Sequence, residues 1–105
     1  MNGEKKCTVI LEGTFNEGGM KTKEFEEYSR RSNANGEANG GVVLSKYVIE
    51  QNLGNGNTPN FILVVEYPSH EIAVDTFSNS EYKSIIPLRD VAFKEVNILI
   101  TKSGD

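Results

Sequence analysis

The 105-residue sequence contains no tryptophan, one cysteine (Cys7), one histidine (His70) and three prolines. Each scarcity removes a class of chemistry. One cysteine excludes an internal disulfide framework and suits a reducing compartment. A single histidine without a cysteine cluster supplies no converging ligand set for a transition metal. No Ser-His-Asp or Cys-His signature for nucleophilic catalysis is present. No window approaches the ~18 consecutive apolar residues of a membrane span, and the N-terminal MNGEKKC lacks the apolar stretch of a signal peptide. Positive charge is short as well: 11 Lys and Arg face 15 Asp and Glu, a net charge of −4. Nucleic-acid binding draws its affinity from clustered Lys and Arg. The expectation is therefore a cytoplasmic protein with no nucleic-acid or membrane partner, no cofactor and no metal.

What the chain does carry is segmented hydrophobicity. Its length fits one domain, whose small core would gain from being shared with a partner. Residues 1–5 are polar and expected to be flexible. The first predicted strand runs from Lys6 to Gly13, and Asn16-Glu17-Gly18-Gly19 breaks it. A helix is predicted from about Met20 or Thr22 to about Ala34. Glu24, Glu26 and Glu27 precede Arg30 and Arg31, which suits the helix dipole and offers the pairs Glu26–Arg30 and Glu27–Arg31. That charge run reads as a solvated face rather than a site. Asn35-Gly36 and Asn39-Gly40-Gly41 read as its stop.

A second strand is predicted over Val42–Gln51, rich in β-branched residues. Leu53 to Asn57 reads as an Asn-Gly hairpin loop, since it lacks the Lys-Ser/Thr of a phosphate cradle and no helix follows it. The third strand is Asn60–Tyr67, ended by Pro68. Ser69 is the expected cap of a helix of about ten residues through Phe77. Ser80 is expected to cap a separate turn, Pro87 to open a further short helix through Phe93, and Glu95–Lys102 to form the last strand. The order β-α-β-β-α-β predicts an α+β ferredoxin-like sandwich, with a four-stranded antiparallel sheet in spatial order 4-1-3-2.

Two helices cover one sheet face. Cys7, Val9, Leu11, Phe61, Leu63, Val65, Tyr67, Val96, Ile98 and Ile100 share one apolar side. The other side mixes Ile10, Ile62, Val64 and Leu99 with Thr8, Glu12, Glu66, Asn97 and Thr101. A water-facing sheet alternates more cleanly, and an apolar patch of that extent marks an interface. The expectation is a homodimer whose sheets pack face to face around a partly polar space, where a small molecule could bind.

Glu66-Tyr67-Pro68-Ser69, Ser80-Glu81-Tyr82 and Pro87-Leu88-Arg89, with Asn39-Gly40-Gly41 and Asn52-Leu53-Gly54, resemble the bacterial family known as domain of unknown function 1330 over nearly the whole chain. That resemblance implies membership of the dimeric α/β-barrel superfamily. The superfamily includes cofactor-free monooxygenases, isomerases, haem-binding enzymes and ligand-binding domains, so fold alone does not decide function. Asn39 stands where such sequences often carry histidine, and Tyr67 where they often carry phenylalanine. The missing tryptophan and the single histidine speak against haem degradation.

Glu12 and Glu66 are the leading candidates for catalysis. Both point to the mixed face, near the ends of strands read as parallel neighbours, and two close carboxylates would raise one pKa for acid–base work. A salt bridge or simple exposure is the competing reading. Arg89 could clamp a substrate carboxylate or pin the second helix in place. Tyr47, Tyr82 and Asn97 are candidate ligand contacts, although Tyr82, Tyr47 and Tyr28 also read as packed aromatics. His70 is expected to be exposed and non-catalytic, and Cys7 to be a small core hydrophobe. Two functions follow: a cofactor-free enzyme acting on a small organic molecule, or a non-catalytic ligand-binding or interaction dimer.

Overall fold

The computed structural model describes residues 5–103. The flexible start expected at residues 1–5 lies, apart from Lys5, outside them. Four strands form one antiparallel sheet: β1 (Cys7–Phe15), β2 (Val42–Val48), β3 (Phe61–Tyr67) and β4 (Phe93–Ile100). Their spatial order is β2-β3-β1-β4, the predicted 4-1-3-2 read from the other edge. Three helices accompany it: α1 (Lys23–Ala38), α2 (His70–Thr76) and α3 (Ser80–Ala92), with a short 3-10 turn at Gly19–Lys21 before α1.

The α1 boundaries follow from caps at both ends. Thr22 accepts a hydrogen bond from the Phe25 N–H at 3.1 Å, which satisfies one of the donors a helix start leaves open. The helix then runs through Asn35-Gly36, where the sequence pointed to a stop. Asn35 is buried, donates to the Thr76 carbonyl at 2.8 Å and accepts from the Asn79 amide at 3.0 Å. These bonds tie α1 to the α2–α3 junction and outweigh the weak helix propensity of an Asn-Gly pair. Termination comes at Gly40, in left-handed conformation with φ +82°. Gly41 N–H reaches the Gly36 carbonyl at 2.9 Å and Gly40 N–H the Glu37 carbonyl at 3.0 Å, the paired closing bonds of a Schellman end.

Ser69 caps α2 as expected, accepting from the Ile72 N–H at 3.2 Å. Helix α3 is a single helix with Pro87 inside it, not a separate turn followed by a short helix as expected. Its cap is Asn79, whose side-chain oxygen accepts from the Tyr82 N–H at 2.8 Å, and not Ser80. Pro87 withholds one N–H from the helical ladder. Packing of Tyr82, Ile85 and Ala92 on the inner side holds the segment together regardless.

The face assignment predicted for β1, β3 and β4 holds. Cys7, Val9, Val65, Tyr67 and Ala73 form one buried cluster, extended by Leu11, Leu63, Ile98 and Ile100. A second cluster unites Tyr28, Tyr82, Ile85, Ala92 and Phe93. Cys7 is buried in the first cluster as a small hydrophobe, its thiol donating to the Thr101 carbonyl at 3.4 Å. His70 is exposed at the first position of α2.

Strand β2 is different. It pairs with β3 through Val43↔Val65 and then Ser45↔Val64, a bulge at Leu44. The extra residue reverses the in–out alternation, so Val43, Lys46 and Val48 share the helix-side face with Val65, Leu63 and Phe61. Helix α1 packs chiefly on α3 rather than on this strand, and Val43 and Val48 remain 57% and 82% exposed. The 12 residues between β2 and β3 form a longer connection than a two-residue hairpin loop. An Asx turn organises it, with Asn52 accepting from the Gly54 N–H at 2.7 Å and donating to the Gly56 carbonyl at 3.1 Å.

Candidate functional site

The gap that α1 leaves over β2 and β3 is a cavity of about 680 Å³. Its deep end is aromatic. Phe15 stacks on Phe93 with ring centres 4.8 Å apart, and Phe25 meets Phe15 edge-on at 5.1 Å. Phe61 closes the group, 5.7 Å from Phe15 and 6.0 Å from Phe93. Gly13 permits that approach: a Cβ there would lie 2.5 Å from the Phe61 ring. Polar groups come from two sides. Tyr28, Ser29, Ser32 and Asn33 line the cavity from α1, and Lys46 lines it from β2. A second hollow of about 430 Å³ continues along α1 and shares Leu11, Ser32, Asn33, Val43 and Leu63 with the first.

Tyr28 is the most constrained of the polar groups. Its hydroxyl lies 2.9 Å from that of Tyr82, and Arg89 donates through Nη1 to the Tyr82 hydroxyl at 3.4 Å. The Arg89 guanidinium also stands 6.0 Å from the centre of the Tyr82 ring and pairs with Asp90 at 3.1 Å. Burial, followed by the neighbouring Tyr82, pushes the Tyr28 phenol well above its ordinary range. It is therefore neutral and proton-bearing at physiological pH.

The residues proposed from sequence do not converge. Glu12 and Glu66 do project from the side of the sheet away from the helices, but β1 and β3 are antiparallel, not parallel as read from sequence. The register pairs Thr8 with Glu66 and Glu12 with Ile62, so four residues, ~13 Å of strand, separate the carboxylates. Glu12 accepts from the Asn97 amide at 3.2 Å, while Glu66 faces Lys6 at 3.6 Å. Arg89 belongs to the helical layer, on the other side of the sheet from both. Tyr47 is exposed opposite Ile62 on the open face. Tyr82 is almost fully buried and reaches the cavity through Tyr28. Asn39 caps α1 and donates to the Asn35 carbonyl at 2.8 Å. Among the described residues, no three His, Cys, Asp or Glu side chains are grouped to hold a metal ion.

Sequence reasoning missed Lys46, Ser29, Ser32 and Asn33 as lining. The α1 residues were identifiable in principle as small polar positions beside Tyr28 or about one turn from it. The lysine was not, because its face depends on the bulge at Leu44.

A family model described as domain of unknown function (DUF1330) matches residues 20–103. No curated protein matches the chain. Among solved structures, a protein of unknown function from Rhodopseudomonas palustris superposes with a TM-score of 0.77 at 18% identity, over 98% of this chain and 85% of that one. A dimeric protein of unknown function with a ferredoxin-like fold from Bacteroides fragilis gives 0.58 at 12% identity, over 93% and 96%. SnoaB, a cofactor-independent oxygenase from Streptomyces nogalater, gives 0.59 at 10% identity, over 94% and 95%. At these identities the likeness is one of fold.

Proposed function

The chain belongs to the domain of unknown function (DUF1330) family, and from the cleft we propose that it is a homodimeric protein that takes a mostly apolar organic molecule beneath α1 and acts on it without a tightly bound cofactor. The observation that carries this reading is the cavity itself. Its volume of about 680 Å³ falls within the range of small-molecule sites, which combine apolar walls with a few placed polar groups. The Phe15, Phe25, Phe61 and Phe93 rings suit a flat hydrocarbon body, and Lys46 with the α1 hydroxyls suits polar atoms at its other end. The Streptomyces neighbour, described as a cofactor-independent oxygenase, is in keeping with the monooxygenase side of this reading.

The dimer is proposed through the open sheet face. Ile10, Ile62, Val64 and Leu99 form its apolar part, and Tyr47 extends it along β2. The neighbour described as dimeric with a ferredoxin-like fold supports this arrangement. Glu12, Asn97 and Glu66 then serve in the subunit interface, and Tyr82 and Arg89 serve the cleft from behind Tyr28.

A second reading, a non-catalytic ligand-binding dimer, is favoured by the lining. It carries no histidine, and the carboxylate of Glu12, which borders it, turns to the open sheet face and is held there by Asn97. Native mass spectrometry of protein purified from cells tests both parts together. The expected result is a dimer retaining an organic molecule, with retention lost in Val43→Trp, which fills the cavity mouth. A ligand-free monomer would overturn the proposal. A retained molecule that fresh protein leaves unchanged, with or without dioxygen, would favour the non-catalytic reading.

A further inference from the structure

The hydrogen bonds behind the cavity have a direction that chemistry fixes. A guanidinium has donors only, so the contact from Arg89 Nη1 to Tyr82 at 3.4 Å makes the Tyr82 oxygen an acceptor. Tyr82 is 1% exposed, and among the described residues its hydroxyl has one other partner, the Tyr28 hydroxyl at 2.9 Å. A buried O–H without an acceptor is costly. The arrangement that leaves no donor orphaned has Tyr82 donating to Tyr28. The Tyr28 proton must then point away from Tyr82.

From this directed chain, Arg89 to Tyr82 to Tyr28, we infer that the Tyr28 hydroxyl is a directed hydrogen-bond donor of the cleft and that the molecule bound there presents an oxygen acceptor, such as a carbonyl, to it. This rests on the cleft being a ligand site and says what distinguishes its ligand. Tyr28 lines the cavity, as does Ser32 one turn along α1. In the free protein solvent in the cleft can take the proton; a ligand carbonyl replaces it on binding. Because Tyr82 already donates to Tyr28, the Tyr28 oxygen is less able to accept, so the site favours acceptors over donors. Burial keeps the phenol protonated, so donation persists across the physiological range. Tyr82 and Arg89 are positioning residues for this donor. Their role explains why an arginine without access to the cavity is held by a buried tyrosine.

The test uses two probes of one shape, 2-acetylnaphthalene and 2-ethylnaphthalene, titrated into the full chain and followed by fluorescence. Tyr28→Phe should weaken the ketone about tenfold, the loss of one good hydrogen bond, and leave the hydrocarbon within about twofold. Arg89→Met, which lets the Tyr82 O–H turn from Tyr28 toward the space the guanidinium leaves, should weaken the ketone alone, by a smaller factor. Circular dichroism and the hydrocarbon affinity verify that each variant retains its fold and cleft. Equal effects of Tyr28→Phe on both probes, or none on either, would overturn the donor assignment while leaving the cleft as a ligand site. Failure of both probes to bind the unmodified protein would overturn the cleft reading and this inference with it.

Discussion

The hydroxyls of Tyr28 and Tyr82 meet at 2.9 Å across a sequence separation of 54 residues, joining the middle of α1 to the first turn of α3. Both rings are buried, so the pair lies in the core and at the back of the cavity at once. Tyr82→Phe should cost about 1–2 kcal/mol of stability, because it removes the bond to Tyr28 and leaves an Arg89 donor unpaired. A double-mutant cycle with Tyr28→Phe, read by urea unfolding, should show coupling of roughly 1 kcal/mol.

The same burial has a pH consequence. The Tyr28 and Tyr67 phenols are both held above their ordinary value of 10.0, chiefly by desolvation. In the unfolded chain they ionise near that value, so above it the unfolded state binds fewer protons than the folded state. Stability from these groups is fully present below pH 10 and declines as pH rises beyond it. Ultraviolet titration should show phenols that ionise late or only on unfolding, and the melting temperature should fall in step.

Gly40→Ala should destabilise by about 1–2 kcal/mol from the left-handed backbone alone, here at φ +82°. The new Cβ would also lie 2.9 Å from Pro68 Cγ, adding to the cost. Thermal unfolding measures the sum. An unchanged melting temperature would mean that α1 does not depend on its Schellman end.

Much of the fold was legible because strand alternation and turn chemistry agree over β1, β3 and β4. Val9, Val65 and Ile98 could be placed on the helix side from period alone. The helix ends were less so. Asn35-Gly36 looks like a stop, and only the buried bonds from Asn35 to Thr76 and Asn79, 41 and 44 residues away, carry α1 through it. Asn79 displaced Ser80 as a cap for a similar reason: both are good caps, and local sequence does not choose between them. The site was the least legible part. Glu12 and Glu66 were correctly read as sharing a face, but their separation depends on register and strand direction. Lys46 reached the cavity wall through a bulge, which no alternation pattern announces.

The open face yields a separate prediction. Leu99→Glu places a charge beside Ile10 on the sheet face. It should shift the proposed dimer to monomer in sedimentation, with little loss of secondary structure, since Leu99 is already 44% exposed in the single chain. A dimer that persists would assign the interface to another surface, the exposed β2 edge being the natural alternative.

In the proposed function a small, mostly apolar molecule binds between α1 and the β2–β3 strands. Amide chemical-shift mapping of the full chain with 2-acetylnaphthalene addresses it residue by residue. Saturable shifts are expected, concentrated at Tyr28, Ser32, Val43, Lys46, Phe61 and Leu63 and abolished by Val43→Trp. Shifts confined to Ile10, Ile62, Val64 and Leu99 on the open face, or no saturable shifts at all, would contradict it.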